Sequence, residues 1–388
     1  MIKNRIVSQL EKRRCTLLGV GPMSINCVDS VIELANEREV PIFLIASRRQ
    51  VDTKNLAGGY VNNWTTEEFS EYVLNNDKRG MVILSRDHGG PWQNPKEIEA
   101  GLGLHLAMES AKKSYSKDIE CGFECIHIDT SVDIHSQPTI DSSLHRVFEL
   151  YEHCWREASK NGKKIIFEIG TEEQNGSTNS QEELEYTLNS MKVFCSKNKM
   201  PYPTFVVIQC GTKVLETRNV GSFDSPVRIA NEIPSEIQLP KMLEICKKFN
   251  IYMKEHNADY LSDQAISWHP RLGIQAANVA PEFGVIETRA FVTLLEINNL
   301  NKLADEFLEH AYSSRKWEKW MQDNSNTSDR DKSIIAGHYV FSTPTCKDIK
   351  CRAQKELKKS NINIDEYLKA ITKKAILRYL KGFRLTSY

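Results

Sequence analysis

Eight short apolar runs, each followed by a polar turn and a stretch of helical spacing, recur between residues 16 and 281 of this chain. The first four are TLLGVGP at 16–22, PIFLIAS at 41–47, MVILSRDH at 81–88 and CIHIDTS at 125–131. KIIFEIGTE at 164–172, TFVVIQCG at 204–211, IYMKEHNAD at 251–259 and LGIQAANVAP at 272–281 complete the set. Each has the length and the aliphatic, β-branched content of a strand buried on both faces. The spacers carry apolar residues at helical intervals, as in Val31, Leu34 and Ala35, in Phe69, Tyr72 and Val73, and in Leu144, Val147, Phe148 and Tyr151. Alternating strand and helix implies parallel strands joined by right-handed crossovers. Eight such units in a little under 300 residues is the count of a (β/α)8 TIM barrel. An open doubly wound sheet is the competing arrangement. It is disfavoured because GVGPMS at 19–24 lacks the third glycine and the following acidic residue of a dinucleotide fingerprint.

The pattern changes after Pro281. Residues 282–312 read as one long helix or two, 323–331 as a polar loop, and 346–388 as a basic, amphipathic helical tail. The expected organisation is a catalytic barrel over 1–299 and a C-terminal helical extension over 300–388, packed on the barrel or on a partner subunit.

Composition narrows the function. Lysine plus arginine and aspartate plus glutamate number 51 each, so no long-range field attracts a nucleic acid. No apolar run of spanning length occurs. The charged N-terminus, MIKNRIVSQLEKRRC, has no apolar core of a secretory signal. The ten cysteines are scattered without a zinc-knuckle spacing and are expected to be reduced thiols in a cytoplasmic protein.

A barrel of this kind presents its chemistry at the C-terminal ends of its strands. Those ends are rich in acids, amides and imidazoles: Asp87 and His88 before Gly89-Gly90-Pro91, then Asp129 and Ser131. After them come Glu168 ahead of Gly170, Thr171, Glu172 and Glu173; Gln209, Cys210, Gly211 and Thr212; His256, Asn257 and Asp259; and Asn278. His88 and His256 are the candidate metal ligands, with zinc the natural ion and a third ligand drawn from Glu172 or Cys210. The competing reading makes each histidine a hydrogen-bonded residue of a polar cavity. Asp87 is the candidate general acid/base if the strand bends to bring it and His88 to one pocket; otherwise it is a turn or capping aspartate. His127 and Asp129 share strand parity; Asp129 is the site candidate and His127 a satisfied interior residue. The other seven histidines read as surface. Gly211-Thr212 and Asn278-Val279-Ala280 fit the phosphate site expected after strands six to eight.

At these residues the chain resembles the class II tagatose-bisphosphate aldolase second-subunit family, also labelled tagatose-6-phosphate kinase-like. The matching pieces run in order: Gln50-Val51, Gly58-Gly59-Tyr60, Asp87-His88-Gly89-Gly90-Pro91, His127-Ile128-Asp129-Thr130-Ser131, Ile169-Gly170-Thr171-Glu172, Gln209 with Gly211, and His256-Asn257-Ala258-Asp259-Tyr260. The resemblance implies metal-dependent aldol cleavage or condensation of a ketose phosphate, with dihydroxyacetone phosphate as donor. It implies zinc on His88 and His256, Asp87 exchanging a proton with the aldehyde oxygen, and Glu172 handling the donor proton; Asn257 and Asp259 are substrate-binding candidates from their place at a strand end. One departure stands out: where class II aldolases carry a further histidine near strand six, this chain reads Gln209-Cys210. The family also includes non-catalytic partners of a separate aldolase chain, so an accessory subunit is the alternative. A homo-oligomer or a complex with a second aldolase subunit is the expected assembly. A sugar-phosphate kinase has no support in the residues, since no G-x-x-x-x-G-K-[ST] loop occurs.

Overall fold

The computed structural model describes residues 2–170, 180–208, 212–221, 223, 225, 232–322 and 325–387. The chain begins with α1 (Ile2–Lys12), β1 (Leu17–Val20), α2 (Ile25–Arg38), β2 (Ile42–Ser47), α3 (Thr66–Asn76) and β3 (Val82–Gly89). Then come α4 (Pro95–Glu99), α5 (Leu104–Glu120), β4 (Cys125–Asp129), α6 (Ile140–Lys160), β5 (Ile166–Gly170), α7 (Gln181–Asn198) and β6 (Phe205–Ile208). A hairpin, β7 (Lys213–Leu215) and β8 (Arg218–Val220), precedes α8 (Ser235–Phe249), β9 (Tyr252–Glu255), α9 (Asp263–Leu272) and β10 (Ala276–Val279). Five helices close the chain: α10 (Pro281–Ile297), α11 (Asn301–Ser313), α12 (Asp329–Ala336), α13 (Pro344–Leu357) and α14 (Ile364–Gly382).

Eight parallel strands close a barrel in the order β1-β2-β3-β4-β5-β6-β9-β10. They are the eight apolar runs, buried on both faces because helices cover the outside and packed side chains fill the inside. The antiparallel pair β7–β8 rises from the loop after β6. Residues 282–312 resolve into two helices, α10 and α11, and the basic tail into α13 and α14. The apolar stripe of α14 explains its position: Ile376, Tyr379 and Leu380 join the barrel's own apolar core, and the helix lies against α2 and α10. Leu357, Ile364 and Leu368 instead join a second cluster with Phe291 and Leu295 of α10 and Phe307 of α11.

Strand parity around β3 fixes the site. Arg86 points outward, where its guanidinium meets Asp118 at 2.6 Å and the carbonyls of Ala46 and Val51 at 2.8 Å. Beside it Arg48 meets Asp52 at 2.9 Å and Glu97 at 2.6 Å. This buried ionic layer clamps the ends of β2 and β3, and with Arg86 held outside, Asp87 must face the barrel axis.

Candidate active site

The expected bend is at His88 itself. The β3–β4 register shifts between Arg86 and Gly89, and His88 adopts a left-handed φ of 44°. Gly90 follows at φ 151°, so close to β4 that a Cβ there would lie 1.8 Å from the Asp129 carbonyl oxygen. Only glycine allows that approach. Adjacent residues that would diverge on a regular strand thus both face one cavity, and Asp87 is not a turn or capping residue.

Three imidazoles meet over the axis. Ring centroids lie 5.1 Å apart for His88 and His256, 5.5 Å for His88 and His127, and 5.3 Å for His127 and His256. His127 is therefore part of the cluster. Its Nδ1 accepts the His88 backbone N–H at 3.2 Å, and its buried Nε2 has no hydrogen-bond partner among the described residues. Alternation in the fourth and seventh strands was the available signal: His127 two before Asp129, and Lys254 two before His256, put all four on inward positions.

Asp87, His127, Glu168 and His256 each offer a ligand atom within 4.8 Å of the others. His127 Nδ1 lies 3.6 Å from Asp87 Oδ1 and 3.9 Å from Glu168 Oε1; His256 Nε2 lies 3.8 Å from Asp87 Oδ1 and 2.9 Å from Glu168 Oε1. Ligands 2.0–2.2 Å from a tetrahedral zinc stand about 3.4 Å apart, so this spacing fits a metal ion. His88 occupies a neighbouring corner. Its Nδ1 is 2.6 Å from Asp129 Oδ2 and its Nε2 3.8 Å from Asp87. A carboxylate on Nδ1 fixes the tautomer that leaves Nε2 as a ligand. Asp129 is itself steadied by Gln93 at 3.0 Å and by the Ser131 N–H at 2.9 Å.

The charges decide what the cluster seeks. Burial would raise all three carboxylic acids, but the imidazoles hold Asp87 well below the usual range. Asp129 is held down to about 2, first by His88, and Glu168 to about 2, first by Lys254. Lys254 Nζ sits 2.6 Å from Glu168 Oε2, above Phe43 and Phe205 at 5.5 and 5.9 Å. Burial would lower His88, yet Asp87 and Asp129 raise it to about 9, whereas burial lowers His256. With His88 protonated, Asp87, Asp129 and Glu168 outweigh the Lys254 ammonium and the His88 imidazolium by one charge; a divalent cation that displaces the His88 proton meets two.

The other sequence candidates fall as follows. Asn278 bridges Asp87 Oδ1 at 3.3 Å and His256 Nε2 at 3.1 Å. Asn257, Asp259 and Ser131 line the mouth. Asp259 also receives the Ala280 and Glu282 N–H groups at 2.9 and 2.8 Å, fastening the start of α10. Burial and the neighbouring Glu282 push it up to about 8. Thr212 turns its hydroxyl toward Glu255 at 3.5 Å and does not line the cavity. Glu172, Cys210 and Gly211 lie outside the described residues. Sequence reasoning placed Glu168 at a strand end and Tyr60 in the family pattern without giving either a role, and missed Lys254 and the mouth residues Arg49, Lys319 and His338. The reading of seven surface histidines is corrected at His269 and His338, each 1% exposed. His269 is buried on Glu255 at 2.8 Å, and His338 packs against α10 and the mouth.

A family model for the D-tagatose-1,6-bisphosphate aldolase subunit GatZ/KbaZ-like proteins matches residues 3–196, half of the chain, including β3 with Asp87-His88 and β4 with His127 and Asp129. The chain belongs to the GatZ/KbaZ-like family. No curated protein sequence matches it. Among solved structures, it resembles a probable tagatose 6 phosphate kinase from Sinorhizobium meliloti 1021, with a TM-score of 0.75 at 15% identity over 95% of this chain and 100% of that one. The fructuronate-tagaturonate epimerase UxaE of Cohnella laeviribosi follows at 0.58 and 11%, covering 96% and 82%. Fructose-bisphosphate aldolase of Campylobacter jejuni gives 0.54 and 12%, covering 99% and 94%. At these identities the likeness shows a shared barrel fold. Among the described residues no helix is long and apolar enough to cross a membrane.

Proposed function

We propose that this GatZ/KbaZ-like chain is a class II-type aldolase that cleaves or forms a ketose phosphate with dihydroxyacetone phosphate as donor. The observation that carries the reading is the convergence of buried carboxylates and imidazoles, with ligand atoms of Asp87, His127, Glu168 and His256 within 4.8 Å of one another. His127, Glu168 and His256, with His88 beside them, would hold a divalent metal, zinc by donor type, and leave Asp87 to carry the proton. A metal there supplies Lewis-acid stabilisation of the negative oxygen that develops on the donor half. The chain's own groups do the rest. Asp87, ionised at neutral pH, accepts the proton of the hydroxyl on one of the two carbons of the breaking C–C bond; that carbon becomes the aldehyde, and the electron pair stays with the donor half, which takes up a proton to leave as dihydroxyacetone phosphate. Asn278, donating to Asp87, fixes that carboxylate. Lys254 holds one oxygen of Glu168 and leaves the other turned to the site. The barrel over 1–299 carries the chemistry in this reading, and 300–388 forms its cover.

The word subunit in the family's description supports a second reading, in which the chain assists a separate aldolase. Purification with zinc, metal analysis and a cleavage assay on D-tagatose 1,6-bisphosphate separate the two. Stoichiometric metal and turnover lost in Asp87→Asn support catalysis by this chain. A metal-free, inert chain that raises the activity of a partner aldolase overturns it.

A further inference from the structure

The cavity above the acid–imidazole cluster, about 340 Å3, is walled partly from outside the barrel: Lys319, Trp320, His338 and Tyr339 of the C-terminal extension line it together with Arg49 and Tyr60. This wall is built. Ser342 donates to the Tyr60 carbonyl at 2.8 Å, and the Glu216 N–H of the β7–β8 hairpin donates to the Trp320 carbonyl at 2.7 Å. Trp320 Nε1 donates to the Tyr339 hydroxyl at 3.3 Å. The His338 ring lies tilted, 4.0 Å from the Tyr339 ring and 6.1 Å from the Tyr60 ring. On its other side lies Gly284 of α10, where a Cβ would come within 2.6 Å of His338 Cγ. A glycine thus lets the imidazole sit at the cavity wall.

His338 is buried, yet neither ring nitrogen has a hydrogen-bond partner among the described residues. A buried polar group without a partner is unfavourable unless something supplies one. Lys319 Nζ sits over the Trp320 ring at 4.5 Å and the Tyr339 ring at 5.2 Å. Among the described residues neither Lys319 nor Arg49 has a carboxylate partner. The mouth therefore offers cations and a hydroxyl-seeking ring, while the floor offers carboxylates.

We propose that the C-terminal extension completes the substrate site: His338 binds a hydroxyl of a phosphorylated ketose, and Lys319 with Arg49 binds the phosphate on its aldehyde-derived half. This rests on the aldolase reading for the identity of the ligand. Burial first, then Lys319, depresses His338 to about 3, so at neutral pH the ring is uncharged and has one donor and one acceptor for a hydroxyl.

Calorimetry on the full zinc-loaded chain, with Asp87→Asn in every protein so that nothing is cleaved, tests this. The probes are D-tagatose 1,6-bisphosphate, D-tagatose 1-phosphate and inorganic phosphate. This parent, otherwise wild type, should bind the bisphosphate about tenfold more tightly than the 1-phosphate, and Lys319→Ala should erase that gap. His338→Phe should weaken both ligands about tenfold with metal content unchanged. A parent without the gap, a gap that survives Lys319→Ala, or unchanged affinity in His338→Phe overturns the proposal. So does inorganic phosphate binding as tightly as the bisphosphate. If Lys319→Ala or His338→Phe does not fold, Lys319→Gln and His338→Gln carry the same expectations. A wild type inert in the cleavage assay, with the Lys319-dependent gap intact, sinks the aldolase reading alone; an active wild type without it sinks this one alone.

Discussion

Lys254→Met tests whether the cluster is held by opposed charges. Lys254 and Glu168 pair at 2.6 Å with both side chains buried. Removing one partner of a buried pair strands the other charge and costs about 3–5 kcal/mol, whereas replacing both with neutral groups is often close to neutral. Spread over 388 residues, an unfolding entropy of about 2.1 cal/mol/K per residue converts that loss into a melting temperature lower by about 4–6 °C. Methionine matches the lysine stem in length and keeps the contacts with Phe43 and Phe205. Any loss is then electrostatic. The measurement is a double-mutant cycle in urea, in chelator so that metal does not contribute, with wild type, Lys254→Met, Glu168→Gln and the double variant. The double variant should recover most of what Lys254→Met loses. Loss in the double variant equal to the sum of the singles would refute the reasoning, because it would mean that packing rather than charge sets the pair.

Four further outcomes are expected. His127→Ala and His256→Ala should each abolish stoichiometric zinc, read by metal analysis after gel filtration. Asp129→Asn should keep the stoichiometry but weaken affinity about 10–100-fold, because it frees the His88 ring. His338 has its folded pKa depressed below the unfolded value of about 6.5, so its contribution is present above that pH and is lost as pH falls toward about 3. The stability difference between wild type and His338→Phe, from urea midpoints, should therefore shift in favour of the variant between pH 7.5 and 4.5; a difference flat in pH counts against this. Tyr379→Phe removes the hydroxyl that donates to Glu282 at 2.5 Å and should cost about 1–2 kcal/mol by the same assay, without changing zinc content.

The barrel was legible because strands buried on both faces must be continuously apolar, and the inward residues were legible wherever parity was followed. Lys254 and His256 alternate in one strand, as do His127 and Asp129 in another. What sequence reading missed followed from stopping at the strand tips. Glu168 lies two residues short of the end of β5, and the eye passes from it to Glu172. His338 was not legible at all. It lies beyond the last strand, in a short turn between α12 and α13, and its burial depends on Gly284 more than fifty positions earlier. Such a contact leaves no periodicity. The extension's amphipathic helices predicted packing on the barrel, but not that the segment between them would reach its mouth.

Asp87 and His88 show why adjacency alone could not assign their roles. On an unbroken strand one of them would face solvent-side helices beside Arg86. The left-handed turn at His88 spends backbone strain to put both on the axis, and each then meets a different counter-group. Asp129 takes Nδ1 of His88, which orients that ring, while Asp87 is left facing His127, His256 and Asn278. The polarity of the whole cavity follows from this wiring: cation-seeking carboxylates on the floor and, at the rim, Arg49 and Lys319, which have no carboxylate partner among the described residues. A ligand that is neutral throughout gains from neither end. One with vicinal oxygens at one end and an anion at the other can engage both at once, and only in one orientation. In the proposed reaction that orientation would set the carbon–carbon bond between the two halves beside Asp87, which would take the proton released as the bond breaks.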